Sequence, residues 1–262
     1  GQSWVLRAKP APAAELLPSA HAIEREYRIL QALADTDVPV PRVRALCEDE
    51  SVIGVAFYVM DFVQGRIFRD ATLPEVPAAE RSAYFMEANR VLAALHRVDW
   101  RQLGLQDFGR HEGYYTRLIR RWTQQYQATR QDAVPAMEQL IAWLPQHIPA
   151  MARDEAMVSV VHGDYRTGNF LHDGMGKITA ILDWEMAHLG DPLEDLGWAL
   201  DPLWGHFDPQ KVGGMMPRDQ ALDLWQKTSG LTIDPRALDW WSLFNAVKGQ
   251  AIWTSAAKEF RT

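Results

Sequence analysis

Residues 160–170, VVHGDYRTGNF, place several polar side chains directly after an apolar run. Asp164 and Asn169 are five residues apart in this segment, and a second acid, Asp183, follows in the segment ILDWE. Phosphoryl transfer uses a carboxylate that accepts the proton of a hydroxyl and, several residues later, an amide oxygen that binds a metal ion. Mg²⁺ prefers oxygen ligands, which Asn169 and Asp183 could supply. The spacing therefore favours a phosphoryl-transfer site with Asp164 as its base.

Two other interpretations of the same residues remain open. Asp and Asn side chains also cap turns, so each residue taken alone could be local. The pair His162 and His172, with Asp164, suggests a zinc hydrolase, but no third ligand stands at a recognisable spacing and the motif H-E-x-x-H is absent from the sequence. We interpret His162 as a structural residue whose ring bonds the loop backbone.

Hydrophobic spacing predicts the elements that would hold these residues. The segments SWVLRA, VRALCE and VAFYVMDFV predict strands, and HAIEREYRILQAL predicts a helix between the first two. Farther along, apolar stripes within residues 80–98 and 115–126 have helical spacing, and the pattern after Pro192 is mainly helical. Short strands are expected in MVSVVH, FLHD and KITAILD, with DGMG as a hairpin turn. The fold class expected is α+β.

Composition narrows the range of functions. The chain has 262 residues and a net charge of −7, which disfavours a general nucleic-acid-binding role. Cys47 is the single cysteine, so an intrachain disulfide is excluded and a reducing, cytoplasmic location is expected. The longest apolar run, residues 52–60, is too short to span a bilayer, and no signal peptide is recognised. No membrane partner is expected.

The segments HGDYRTGNF, ILDWE and GDPLEDLGW together resemble the aminoglycoside phosphotransferase and choline kinase-like family. The segments VLRAKP, LLPSAHAIEREYRIL and DVPVPRVRALCED are most similar to the kinase-like domain associated with acyl-CoA dehydrogenases. The resemblance implies a protein-kinase-like fold of two lobes. A small, mostly β N-lobe would span residues 1–63 and a larger helical C-lobe residues 64–262, with a hinge at residues 61–65.

The resemblance also assigns roles to the residues at matching positions. On the catalytic side it implies that Asp164 is the base, that Asn169 and Asp183 bind the metal, and that Asp195 is a buried acid that bonds the catalytic-loop backbone. On the nucleotide side it implies the following set: Arg7 contacts the α/β-phosphates, Glu26 orients Arg7, Met60 backs the adenine pocket, and the backbones of Asp61 and Val63 bond adenine.

The implied activity is transfer of the γ-phosphate of ATP, with Mg²⁺, to a hydroxyl of a small molecule, which the closer resemblance suggests is a hydroxyacyl-CoA-like metabolite. An aminoglycoside, amino-alcohol or sugar acceptor and a non-catalytic nucleotide-binding module remain alternatives. Three departures bear on that choice. Arg7 stands where protein kinases commonly have Lys, and Asp183 is followed by Trp-Glu rather than Phe-Gly. The strands that cover the phosphates would precede Arg7, so the N-lobe is expected to be only partly represented.

Overall fold

A computed structural model describes residues 3–9, 23–110, 112–150, 155–205, 211–212 and 216–259. The start of the chain forms an antiparallel sheet in the order β1–β3–β2, with these bounds: β1 Trp4–Ala8, β2 Val43–Cys47 and β3 Phe57–Asp61. Helix α1, Ile23–Leu33, packs on this sheet through Tyr27. The ring of Tyr27 and the ring of Tyr58 on β3 are arranged edge to face, with their centroids 6.2 Å apart. The predicted strands and helix are confirmed.

Helices form most of the remaining described chain. Their bounds are α2 Ala78–His96, α3 Tyr114–Thr129, α4 Pro135–Trp143, α5 Leu193–Ala199, α6 Arg218–Ser229 and α7 Pro235–Glu259. The long helix α7 lies against both α3 and α5, and α2 packs on α6. Large aromatic side chains fill the space between them, and Trp122, Trp225 and Trp241 are wholly buried. The mixed α+β class is therefore confirmed.

Short strand pairs sit between α4 and α6. The pairs are β4 Ser159–Val161 with β7 His188–Gly190, β5 Phe170–His172 with β6 Ile178–Ile181, and β8 Lys211–Val212 with β9 Met216–Pro217. The sequence analysis predicted β4, β5 and β6 but did not predict β7, β8 or β9. Strand β4 is buried along its whole length, so the polar segment that follows it starts from a fixed point in the core.

The connection from the sheet to the helices is tied to the β5–β6 hairpin. Arg66 and His172 exchange two backbone hydrogen bonds of 2.8 and 2.9 Å. At Gly65 a Cβ atom would lie 3.0 Å from both Leu171 Cβ and Thr179 Oγ1, so a larger residue would push the two segments apart. Strand β3 ends at Asp61, where the hinge was expected. The division into domains at residues 63 and 64 remains a prediction.

None of the helices in the described ranges is both long enough and apolar enough to cross a membrane.

Asp191, just before α5, connects three helices of the larger unit. Its side chain is buried and accepts hydrogen bonds from Tyr115 Oη at 2.5 Å, Trp241 Nε1 at 2.9 Å and the Leu193 amide at 2.8 Å. Burial raises the pKa of this carboxyl, whereas the three donors favour its charged form. Asp191 is therefore a single acceptor that satisfies donors from α3, α5 and α7.

We expect Asp191→Ala to lower the free energy of unfolding by about 3 kcal/mol, because the substitution leaves several buried donors without an acceptor. Urea denaturation followed by circular dichroism measures this change. The matched control is Asp223→Ala, which removes an exposed acid of α6 and should change stability by less than about 0.5 kcal/mol. Equal effects of the two substitutions would contradict this role for Asp191.

Candidate active site

One buried carboxylate accepts hydrogen bonds from the backbone of the segment that follows β4. His162 N donates to Asp195 Oδ2 at 2.7 Å, and Gly163 N donates to Asp195 Oδ1 at 2.8 Å. Asp195 is 0% exposed and lies in the first turn of α5. The structure therefore places Asp195 against the backbone of the loop that contains Asp164, in the position that the resemblance implied.

A histidine that the sequence analysis did not identify supports this carboxylate. His96, at the end of α2, has Nε2 at 3.4 Å from Asp195 Oδ2, while its Nδ1 accepts a 3.2 Å bond from Trp225 Nε1. Because an indole N–H only donates, Nδ1 is the acceptor of this pair, and Nε2 is the ring nitrogen that faces Asp195. Burial disfavours the charge on Asp195, yet His96 and the His162 amide outweigh burial and lower the pKa of Asp195.

His162 shapes the loop instead of binding a metal. Its Nδ1 accepts the Asp164 amide at 3.1 Å, and its Nε2 donates to the Leu182 carbonyl at 2.9 Å. His172 lies elsewhere, with its ring packed against Tyr84. Among the residues that the structure describes, no three His, Cys, Asp or Glu side chains are grouped so that they could hold a metal. The zinc interpretation therefore finds no assembled site in the described chain.

Three donors hold the Asp164 carboxylate. Trp198 Nε1 donates to Oδ1 at 2.8 Å, Asn169 Nδ2 donates to Oδ2 at 2.8 Å, and Arg166 Nε lies 3.1 Å from Oδ2. The side chain is 18% exposed, so it remains reachable from the cleft. Asp164 is therefore a fixed hydrogen-bond acceptor that a hydroxyl could approach.

The orientation of Asn169 leaves its oxygen available. Within the described residues, Asn169 Nδ2 donates two hydrogen bonds to Asp164, one to the carbonyl and one to the carboxylate, each at 2.8 Å. Asp183 follows β6 in the left-handed region at φ 64°, which Asp tolerates better than most residues, and its side chain is 40% exposed. The Asn169 amide oxygen and the Asp183 carboxylate are hard donors that fit Mg²⁺.

Arg7 on β1 and Glu26 on α1 form the pair that the resemblance implied. Both Arg7 Nε and Nη2 lie 3.3 Å from the Glu26 carboxylate, and Tyr58 Oη donates to the same carboxylate at 3.0 Å. Arg7 Nη2 also lies 3.6 Å from Asp183 and 3.6 Å from Glu185. One guanidinium therefore faces three acids.

Glu185 is a site residue that the sequence analysis quoted in ILDWE without giving it a role. Burial, and then the neighbouring charge of Asp183, raise the pKa of Glu185 to about 7. Independently of this shift, three acids lie within 3.6 Å of the single Arg7 guanidinium, so negative charge is in excess there. This electrostatic balance favours the binding of a cation.

At the hinge, the predicted residues differ in what they can offer to a nucleotide. Met60 is half-buried in β3, opposite Val5. The Asp61 amide already donates to the Arg42 carbonyl at 2.8 Å, and the Asp61 carboxylate pairs with Arg44 at 2.6 and 2.7 Å. Within the described ranges, Val63 N–H makes no hydrogen bond. Val63 is therefore the available amide donor of the predicted pair.

Arg166, Trp198 and Lys248 also contact the catalytic loop, and the sequence analysis assigned them no role. Arg166 and Trp198 stood inside quoted motifs. A sequence signal for Lys248 did exist. Lys248 follows Trp241 by seven residues and Phe244 by four, so helical spacing places it on the apolar side of α7. A lysine within such a stripe indicates a buried partner.

Comparison with known proteins gives consistent results. Residues 1–241 match the model of the phosphotransferase enzyme family. Acyl-CoA dehydrogenase family member 11 from mouse is 39% identical over 241 residues, which cover 91% of this chain and 30% of that protein. The chicken protein of the same name is 47% identical over 200 residues, which cover 76% of this chain and 25% of that protein. The chain thus spans less than a third of the length of these relatives.

Solved structures support the same fold. A Ralstonia eutropha protein named for the aminoglycoside phosphotransferases superposes with a TM-score of 0.81 at 40% identity, covering 98% of this chain and 78% of that one. An aminoglycoside phosphotransferase from Streptomyces rimosus, solved with ADP and streptomycin, gives a TM-score of 0.65 at 18% identity, covering 94% and 87%. The predicted protein-kinase-like fold is confirmed. Because the family match extends over all but the last 21 residues, the chain belongs to the phosphotransferase enzyme family.

Proposed function

We propose that this chain transfers the γ-phosphoryl group of ATP to a hydroxyl group of a small molecule. The observation that carries the proposal is the Asp164 carboxylate, which three donors fix beside Asn169 and within reach of the cleft. In the reaction, the acceptor oxygen forms a bond to the γ-phosphorus while the bond from that phosphorus to ADP breaks. The hydroxyl proton goes to Asp164. Positioning and electrostatics are the main contributions that a protein makes to this chemistry.

Asn169 and Asp183 would hold Mg²⁺ through the amide oxygen and the carboxylate. When bound, the ion would offset the negative charge of the phosphate oxygens. The excess of acids near Arg7 supports this assignment, because a dication would balance carboxylates that otherwise repel each other.

Arg7 is suited to binding the nucleotide phosphates. Its bond to the buried Glu26 keeps the guanidinium at the cleft, where the planar group can bind phosphate oxygens through two N–H groups. The Val63 amide is suited to the adenine edge, with Met60 behind it. The ADP in the Streptomyces rimosus relative supports an adenine nucleotide as the donor.

For the acceptor we propose a hydroxyacyl-CoA-like metabolite. An apolar cavity between α2, α5 and α6 opens beside the catalytic loop, with the following lining residues among others: Phe85, Ala88, Leu92, Arg166, Ala199 and Met216. A neighbouring cleft is lined by Arg69, Arg166 and Trp204. Apolar walls suit an acyl chain, and two arginines suit an anionic group. The similarity to proteins named acyl-CoA dehydrogenase family members supports the same class.

An aminoglycoside acceptor is the second candidate, supported by the names of the structural relatives. Aminoglycosides are polycations, and the cleft beside the cavity presents two arginines, Arg69 and Arg166, beside one acid, Asp70, which suits a polycation less well than an anion. The third candidate is a nucleotide-binding module without activity. It is supported by Arg7, which stands where protein kinases commonly have Lys. Formation of ADP that requires Mg²⁺ would exclude the third candidate.

We expect Asp164→Ala to reduce kcat by at least about 100-fold, because the acceptor hydroxyl loses the carboxylate that takes its proton. The affinity for Mg²⁺–ATP should change little, since Asp164 meets the acceptor and not adenine. ADP release and calorimetric titration measure the two quantities. Asp219→Ala, which removes an exposed acid of α6, is the control. Turnover at the wild-type rate in Asp164→Ala would show that another group is the base.

We expect Asp183→Asn to weaken the binding of Mg²⁺–ATP by about tenfold or more, and metal-free ATP much less. The substitution keeps the shape of the side chain, and Asn tolerates the left-handed backbone of this position, but the charge that balances Mg²⁺ is lost. Calorimetry with and without Mg²⁺ separates the two effects. The control is Asp173→Asn in the β5–β6 turn. An equal loss in both conditions would make Asp183 a structural residue.

We expect phosphorylation of hydroxyacyl-CoA compounds and none of a kanamycin-type aminoglycoside, measured by the mass of the product. Ala88→Phe would fill the apolar cavity and raise KM for the acyl acceptor by about tenfold or more, with KM for ATP unchanged. Ala79→Phe, on the exposed first turn of the same helix, should leave both constants unchanged. Efficient phosphorylation of the aminoglycoside alone would overturn the acceptor while leaving the kinase proposal intact.

A further inference from the structure

The peptide group between Gly163 and Asp164 is held at both ends. Its carbonyl accepts a hydrogen bond from Lys248 Nζ, and its amide donates to His162 Nδ1 at 3.1 Å. Gly163 has φ 83°, and a Cβ atom there would lie 2.8 Å from the Met186 carbonyl, so only glycine fits this path. Lys248 of α7, distant in sequence, thus fixes the peptide plane that carries Asp164.

Lys248 is also linked, through Trp198, to the side chain of Asp164. Its ammonium lies 4.8 Å from the centre of the Trp198 ring, and Trp198 Nε1 donates to Asp164 Oδ1 at 2.8 Å. A cation over an indole face is attracted by the π electrons of the ring. Backbone and carboxylate of Asp164 are therefore both linked to Lys248, one directly through Gly163 and one through Trp198.

The Lys248 ammonium is buried, and removing a charged group from water is costly, so its presence in the core requires an explanation. Lys248 is 0% exposed, and its nearest acid is the equally buried Glu194 at 3.5 Å. The second Glu194 oxygen lies 3.0 Å from His188 Nε2, and although burial opposes a charge on His188, Glu194 outweighs it and raises the pKa of the ring. An apolar side chain of similar volume would fill such a space at lower desolvation cost. Packing alone therefore does not account for a lysine here.

We propose that Lys248 and Trp198 act together as positioning residues that hold Asp164 in the orientation needed for phosphoryl transfer. The proposal rests on the proposed function for its catalytic consequence. Neither side chain is assigned a contact with substrate. Their effect is exerted through Asp164, so the two should act as one unit.

The test uses Lys248→Met, Trp198→Phe and the double variant. Lys248→Met keeps an unbranched side chain without its charge, and Trp198→Phe keeps an aromatic ring without its N–H. The assay follows ADP release from Mg²⁺–ATP with water as the acceptor. Each single variant should lower kcat by about tenfold. KM for ATP and the binding stoichiometry of one nucleotide per chain should stay unchanged. The double variant should lose about as much as the larger single loss, because both side chains act through one carboxylate.

Trp240→Phe is the matched control, because Trp240 is also buried and donates its indole N–H to the Leu144 carbonyl, outside the catalytic loop. Its kcat should equal that of the wild type even where its melting temperature falls. Losses that multiply in the double variant, or wild-type kcat in fully folded Lys248→Met, would overturn the proposal.

A second readout does not require activity. The indole N–H resonance of Trp198, assigned by its absence in Trp198→Phe, should move in Lys248→Met and in Asp164→Asn, whereas that of Trp240 should not. If the wild type releases no ADP with water or with any hydroxyl acceptor, the proposed function fails, and this resonance alone decides whether Lys248 and Asp164 are coupled. A Trp198 resonance that is unchanged in Lys248→Met would reject the coupling.

Discussion

The hydrogen bonds from the His162 and Gly163 amides to the buried Asp195 carboxylate are the constraint on which the rest of the site depends. They join the end of β4 to the start of α5, so the catalytic loop cannot move independently of the helical core. A carboxylate buried this deeply must be satisfied on both oxygens, and His96 completes the set. Every later contact of Asp164 starts from this fixed backbone.

The second organising feature is the distribution of charge around the cleft. Arg7 faces Glu26, Asp183 and Glu185, so a single guanidinium must serve several acids. The raised pKa of Glu185 is a direct result of that crowding and of burial. Bound Mg²⁺ would offset this excess of negative charge, which is why the balance is consistent with the proposed phosphoryl transfer. The small sheet contributes by holding Arg7 opposite the loop after β6.

Helix α7 links the site to the helices α3 and α5, against which it packs. Its Trp241 lies in the core and bonds Asp191, while Lys248, two turns farther along the same side, bonds the Gly163 carbonyl. The same helix therefore provides a hydrogen bond to the core acid Asp191 and a hydrogen bond to the Gly163 carbonyl beside Asp164. In a close-packed interior, a change at one of these residues is transmitted to the loop, because there is little free volume to absorb it.

The sequence by itself determined the α+β class, the order of the main strands and helices, and the segments that carry Asp164, Asn169 and Asp183, because hydrophobic period and motif spacing are local properties. The pairing of Arg7 with Glu26 followed from resemblance. Only the tertiary structure decided that the Asp61 amide is occupied and that His172 lies apart from His162. It also decided that His96 supports Asp195, and that Trp198 and Lys248 bond Asp164 and Gly163. The contacts of His96, Trp198 and Lys248 join residues 34 to 99 positions apart, and such separations leave no periodic trace in a single sequence. They arise when helices and strands pack, since each buried polar group then has to find its partner across the core.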